Sequence, residues 1–154
     1  MEIVPDSAGT LFFAKSAQQY SLASSDGSTW TGVDATNLVL NVTPAATCFA
    51  LVSANSDLWT ANVGFNQDLG VNVSGSGSLA PDQLGWKESG GFAGTFSPNA
   101  AFVQTGFVIN AASAYHLSLE WKTNRPAFGA TIFGGAGPIG GLYSPTSLTA
   151  QLFC

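Results

Sequence analysis

The sequence predicts an all-β protein, an antiparallel β-sandwich with the connections of a jelly roll. No window of a dozen residues keeps the i, i+3, i+4, i+7 apolar stripe that a helix needs. Short segments of alternating apolar and polar residues recur along the chain instead. Turn residues separate these segments, and the chain contains 18 Gly and 7 Pro. We therefore expect under about a tenth of the residues in helices.

Eight segments have the composition and alternation of strands. In chain order they are residues 10–14, 20–23, 38–42, 48–53, 70–73, 101–109, 115–121 and 148–154. The clearest is 115–121, whose apolar residues fall on one face: Tyr115, Leu117, Leu119 and Trp121. The last segment places Leu148, Ala150, Leu152 and Cys154 on one face in the same way. Both patterns predict half-buried antiparallel strands.

Length and composition indicate one domain, residues 1–154. A chain of this length with 45% hydrophobic residues can fill one core and has no room for two. Only 8% of the residues are charged, so the polar surface must come from Ser, Thr, Asn, Gln and the backbone. This composition is typical of β-sandwiches in secreted proteins, surface layers and virion coats. We expect a location outside the cell, on a cell surface or on a virion surface.

The charge balance excludes two classes of partner. The formal net charge is −5, and the four cations are Lys15, Lys87, Lys122 and Arg125. Nucleic acids and anionic membrane surfaces require a basic patch, which four scattered cations do not make. No apolar run is long enough to cross a bilayer, so no membrane insertion is expected. The first six residues lack the basic start and apolar stretch of a signal peptide, so none is expected in this chain.

The two cysteines, Cys48 and Cys154, both lie in strand-like segments. Either they form a disulfide that closes most of the domain, or they are two buried free thiols. The sequence leaves both alternatives open, because the compartment is unknown.

The segment from Tyr115 to Trp121, followed by a Gly-rich stretch and a closing strand, resembles the end of a tumour-necrosis-factor-like jelly-roll head. The resemblance covers about the last 50 residues and rests on pattern alone. It implies a homo-oligomer, a trimer, whose subunits meet through aromatic faces. The segment from Trp59 to Gln67 has no counterpart in that family, so no functional residues are carried over.

Catalysis is not expected. His116 is the only histidine, and the alternation of its strand places it on the outer face beside Ser118 and Glu120. There is no Gly-x-Ser-x-Gly motif, and Cys48 has no predicted histidine neighbour. A glycosidase pair such as Glu88 and Glu120 is an alternative that the sequence alone does not test.

No cofactor is expected either. One His and two distant Cys do not make a zinc site. Calcium remains an alternative, because Asp57 and Asp68 flank a loop rich in asparagine, although no EF-hand spacing is present.

A recognition surface is the function that the remaining residues favour. Trp59 stands in a segment rich in aromatic, amide and acidic residues, which also holds Asn62, Asn66 and Asp68. A second aromatic–acid pair is Trp86 with Glu88. Sugars are bound by aromatic rings that stack on C–H faces while amides and carboxylates take the hydroxyls, so these six residues predict a glycan site.

Two alternatives stand beside the glycan hypothesis. Trp59 and Phe65 are equally consistent with core positions of a long hairpin. The whole chain is also consistent with a purely structural, self-assembling subunit: a virion decoration, a fibre head, or a component of a surface layer or appendage. Depletion of charged residues is a property of interface cores, so it is consistent with both glycan recognition and self-assembly.

Overall fold

A computed structural model describes residues 9–77, 83–89, 98–137 and 144–154. The N-terminal residues on which the signal-peptide prediction rests lie outside these ranges. The described residues form eleven β-strands and no helix. The strands are β1 (Thr10–Ser16), β2 (Gln19–Ala23), β3 (Thr31–Gly32), β4 (Val39–Val42), β5 (Cys48–Trp59), β6 (Gln67–Ser74), β7 (Gln83–Ser89), β8 (Asn99–Ile109), β9 (Tyr115–Thr123), β10 (Thr131–Gly135) and β11 (Thr146–Phe153). Within these residues, no helix is long and apolar enough to cross a membrane.

The strands form two antiparallel sheets. In the first sheet, β1 and β2 lie along one edge, where β1 pairs with β11 and β2 pairs with β10. Both β11 and β10 pair with one side of β5, and β8 pairs with the other side of β5. In the second sheet, β3 and β4 lie along the same edge of β9, followed by β6 and β7. If β1–β2, β3–β4 and β10–β11 are each counted as one interrupted strand, the strand orders are 1-8-3-6 and 2-7-4-5. This is the strand order of a jelly roll, so the predicted fold class is confirmed.

The core lies between the two sheets and follows the predicted alternation. Tyr115, Leu117, Leu119 and Trp121 of β9 are all buried. Leu148, Ala150 and Leu152 of β11 are buried on the facing sheet. Each Leu or Val side chain buried in this way contributes about 1.5–3 kcal/mol to folding. The period-2 pattern therefore identified the core-facing residues of both strands correctly except for Cys154, which is exposed and follows β11.

Three strands lie outside the eight predicted segments, namely β3, β7 and β10. Glycine weakens strand propensity, and β10 ends in Gly134 and Gly135. At Gly134 the structure needs glycine, because a Cβ there would lie 2.9 Å from the Trp121 ring and 3.1 Å from the Leu58 side chain. The close approach of the two sheets thus requires glycine at this point, and glycine weakens the sequence pattern by which a strand is predicted.

Cys48 and Cys154 are joined by a disulfide across a sequence separation of 106 residues. The bond connects the start of β5 to the residue after β11, two strands that also pair along Phe49 and Phe153. It therefore attaches the end of the last strand, β11, to the start of its neighbour β5.

Candidate functional site

A row of three charged residues crosses the outer face of the second sheet. Asp68 of β6 pairs in register with Lys122 of β9 on one side and Glu88 of β7 on the other. Their strand neighbours Leu69 and Trp121 point into the core, so alternation turns these charged side chains outward. The register of three strands thus gathers charges that are far apart in the sequence.

Lys122 and Asp68 form an ion pair in which both groups are mostly shielded from water. Lys122 Nζ lies 2.7 Å from Asp68 Oδ2, and their side chains are 14% and 1% exposed. The ammonium also donates to the carbonyls of Gly27 and Thr123, each at 3.2 Å. Burial raises the pKa of Asp68 above its usual range, although the hydrogen bond and the charge of Lys122 act to lower it. Lys122 is therefore saturated with acceptors and is not available to an external anion.

Two tryptophans cover this ion pair. Lys122 Nζ lies 5.1 Å from the ring centroid of Trp30 and 5.8 Å from that of Trp86, within the range of cation–π attraction. The two rings meet edge to face, with centroids 6.3 Å apart. Trp86 nevertheless keeps 48% of its surface exposed. Trp86 is therefore a half-exposed ring whose orientation is held by its contacts with Trp30 and Lys122.

Glu88 stands beside this ring, and two amides orient its carboxylate. The side-chain amides of Asn66 and Asn124 both donate to Glu88 Oε1, the second at 3.1 Å. The two asparagines also bond each other: Asn66 N–H donates to Asn124 Oδ1 at 2.9 Å, and Asn124 N–H donates to the Asn66 carbonyl at 3.0 Å. The loop before β6 and the loop after β9 are thereby connected.

Two open grooves lie at this end of the sheet, and Arg125 lines both of them. The smaller is about 370 Å³ and is lined by Gly64, Phe65, Asn66, Asn124 and Arg125. The larger, about 550 Å³, shares Arg125 and adds the exposed apolar side chains of Val63 and Phe128.

Four of the six predicted ligand residues come together here, and two do not. Asn66, Asp68, Trp86 and Glu88 belong to this surface, although the ion pair occupies Asp68. The prediction for Trp59 was wrong: it is 1% exposed and its ring stacks on Phe133 at 5.9 Å, so no external ligand reaches it. Asn62 lies in the larger groove instead, where its Oδ1 accepts the Thr131 N–H at 3.3 Å.

Four residues of this surface were not predicted as site residues from the sequence: Trp30, Lys122, Asn124 and Arg125. Lys122 follows the inward-facing Trp121, so alternation already placed it on the outer face. The positions of the other three depend on how loops meet, for which a single sequence carries no signal.

The residues weighed for catalysis and metal binding have other partners. His116 Nδ1 is 2.8 Å from Asn41 Oδ1, while the Ser118 hydroxyl donates to Glu120 Oε1 at 3.2 Å. The serine is therefore bonded to a carboxylate and the histidine to an amide, which is not the serine–histidine contact of a triad. Burial raises the pKa of Glu120, against the lowering effects of Ser118 and His116. Over the described ranges, no three His, Cys, Asp or Glu residues cluster closely enough to hold a metal ion.

Comparison with known proteins reveals a likeness of fold. The chain is similar to the crystal structure of the infectious bursal disease virus VP2 subviral particle, with a TM-score of 0.50 and 14% identity. The match covers 98% of this chain. It covers 39% of the VP2 chain.

The chain shares its fold with part of a viral particle protein. A second structure, the cyanophage Pam1 capsid asymmetric unit, matches 99% of this chain and 90% of its own at 13% identity, with a TM-score of 0.34. At that TM-score the two folds differ too much for the likeness to bear on this chain. No protein-family model matches the sequence, and no curated protein is similar to it.

Proposed function

We propose that this protein is a non-catalytic structural subunit that assembles with copies of itself in a virion or other surface layer. The observation that carries the proposal is an apolar outer face on the first sheet. Five large side chains there are roughly half exposed or more: Leu11, Phe13, Phe49, Phe102 and Val108. We refer to these five residues as the apolar face.

The register of the first sheet brings part of the apolar face together. Phe153, Phe49 and Val108 form one row across β11, β5 and β8. Gly106 beside them leaves room for the Phe49 ring, whose atom Cε1 would lie 3.1 Å from a Cβ at that position. The five side chains together expose on the order of 500 Å² of apolar surface, more than half of the 800 Å² or so that each partner buries in a stable complex. Polar side chains lie between them in the sheet, among them Gln151, Thr149 and Gln104.

A second copy of this chain is the occupant that the charges favour. The molecule carries a net charge of −5, so most of its surface repels another copy. Charged side chains on the outward positions of the described strands of the first sheet lie only at one end, at Lys15 and Asp57. Contact through the apolar face therefore buries apolar area without bringing acidic groups together. The likeness of fold to a protein of a viral particle agrees with such a role.

Sedimentation of Phe13→Glu tests the proposal, with Phe128→Glu as the matched control. Phe128 is 74% exposed but lies in the loop after β9, away from the apolar face. We expect the wild type to form oligomers, Phe13→Glu to weaken self-association by at least about 10-fold, and Phe128→Glu to leave it unchanged. A monomeric wild type at high concentration, or equal effects of both variants, contradicts the proposal.

A second function, recognition of glycans, is favoured by one specific observation. The half-exposed Trp86 ring lies beside a carboxylate that two amides orient, which is the chemistry that sugar hydroxyls and C–H faces require. This surface and the apolar face lie on different sheets, so the two functions are compatible. Glycan-array binding that is lost in Trp86→Ala, while the variant is still folded at the assay temperature, supports recognition, and an array without binding contradicts it.

A further inference from the structure

We propose that Arg125 binds the carboxylate of an acidic oligosaccharide whose neighbouring sugar stacks on Trp86. This inference rests on the recognition function proposed for Trp86 and adds the chemical class of the ligand. It is carried by the state of the Arg125 side chain, the residues that line the adjoining groove and the hydrogen bonds that connect this groove to Glu88 beside Trp86.

The described part of the chain does not use the charge of Arg125. Its side chain is exposed, and its guanidinium makes no ion pair or hydrogen bond with the described part of the chain. Lys122, the other cation near this surface, is held by Asp68 and two carbonyls. Of these two cations, Arg125 is therefore the one whose N–H groups are available to bind an incoming anion.

The backbone of Arg125 is held in place although its side chain is exposed. Its carbonyl accepts a hydrogen bond from Thr123 Oγ1 at 2.7 Å. The Ala127 N–H donates to the Ser25 carbonyl at 2.9 Å, which fixes the loop two residues further on. Gly27 has a φ of +78° and lies so close to Arg125 that a Cβ there would collide with its backbone. Because the loop is already ordered, a ligand does not have to order it on binding.

The smaller groove beside Arg125 suits a planar anion. Phe65 is buried at its base, while Asn66 and Asn124 line it with amides whose positions are fixed by their mutual hydrogen bonds. A guanidinium binds a carboxylate through two parallel N–H···O bonds, which are stronger than neutral hydrogen bonds. The guanidinium of an arginine therefore selects a carboxylate more effectively than a single lysine ammonium does.

Two residues that line the groove, Asn66 and Asn124, connect it by hydrogen bonds to Glu88, near Trp86. Asn124, the residue before Arg125, donates to Glu88, and Glu88 follows Trp86 by two residues on the same face of β7. Two residues of a strand span about 6–7 Å, so Trp86 and Arg125 lie on the order of 10–15 Å apart. That span requires at least two linked sugar units, with a hydroxyl toward Glu88 and a carboxylate toward Arg125. An acidic peptide would place its carboxylates against Glu88 as well, where they are repelled.

The test compares binding of carboxylate-bearing oligosaccharides with their carboxyl-reduced, neutral counterparts on one array. The proteins are the wild type, Arg125→Gln, Arg125→Lys, Trp86→Ala and the charge-matched control Lys87→Gln. Lys87 is an exposed cation on β7, so its loss changes the net charge equally without touching the groove. Melting temperatures of all variants verify that they fold.

We expect the wild type to prefer the acidic ligands by about 10- to 100-fold. Arg125→Gln should lose that preference and still bind the neutral forms, Arg125→Lys should recover part of it, Trp86→Ala should lose both, and Lys87→Gln should behave as wild type. Equal binding of acidic and neutral ligands by the wild type overturns this inference and leaves recognition at Trp86 standing. Binding of an acidic peptide in preference to every glycan overturns both, as does an array with no binding.

Discussion

The carboxylate of Asp68 and the ammonium of Lys122 lie 2.7 Å apart on adjacent strands, 54 residues apart in sequence. The pair neutralises a charge that burial disfavours, and it fixes Lys122 beneath Trp30 and Trp86. An ion pair shielded to this degree contributes little net stability, because desolvation offsets most of the attraction. Its effect is to hold the two rings in one arrangement.

Removal of one partner of the pair should cost more than removal of both. Asp68→Asn leaves the Lys122 ammonium without its counter-ion, and we expect it to lower the free energy of unfolding by about 3 kcal/mol. Lys122→Met leaves the Asp68 carboxylate buried and should cost a similar amount. The double variant should be clearly more stable than the sum of the two losses predicts. Urea unfolding of all four proteins measures this coupling, and additive losses would contradict it.

Trp59 and Trp86 should differ sharply in their contribution to stability. Trp59 is buried and stacked on Phe133, so Trp59→Ala leaves a cavity and should cost about 3–5 kcal/mol. Trp86 keeps half of its surface exposed, so Trp86→Ala should cost no more than about 1–2 kcal/mol. Urea unfolding of both variants checks the difference. Equal losses would mean that Trp86 supports the fold and is a poor candidate for a ligand platform.

Glu120→Gln should stabilise the protein at neutral pH. Burial raises the pKa of Glu120 above its usual 4.5, so the folded state holds this proton more tightly than the unfolded state. Its contribution is therefore favourable below the usual pKa and is lost as the pH rises through the raised value. Glutamine resembles the protonated form and still accepts the Ser118 hydrogen bond. We expect a higher melting temperature than wild type at pH 7 and no difference near pH 4.

Asp34→Asn is a control that we expect to change the melting temperature at pH 7 in the opposite direction. Burial acts to raise the pKa of Asp34, but hydrogen bonds from Asn37, Tyr20 and Thr36 lower it to about 2. Its contribution is present above its usual pKa of 3.8 and is lost as the pH falls toward 2. Asp34→Asn should therefore lower the melting temperature at pH 7, with a smaller effect in acid. The same sign for both variants at pH 7 would contradict these assignments.

Reduction of the disulfide should destabilise the protein substantially. The bond between Cys48 and Cys154 closes a loop of about 100 residues, which corresponds to about 4–5 kcal/mol in the chain-entropy model. For a domain of this size, that loss lowers the melting temperature by on the order of 10 °C or more. Thermal melts with and without reductant measure it, and Cys48→Ala/Cys154→Ala should melt low and be indifferent to reductant. A wild-type melt that reductant leaves unchanged would show that the bond is not formed.

Sequence alone determined which residues of the clearest strands face the core. In β9, Leu117 and Leu119 are buried as predicted, because side chains of a strand alternate between its faces whatever the strand pairs with. The same local rule placed Glu120 on the outer face. Turn residues and the absence of helical periodicity were enough for the fold class.

The tertiary structure alone decided which aromatic ring is accessible and which charges meet. Trp59 and Trp86 both stand beside polar residues in the sequence, yet β10 brings Phe133 against Trp59, while Trp86 lies in the middle of the edge strand β7. Asp68, Lys122 and Glu88 form a row only because β9, β6 and β7 pair in one particular register. Register depends on the burial of every strand in the sheet at once, so no local pattern specifies it.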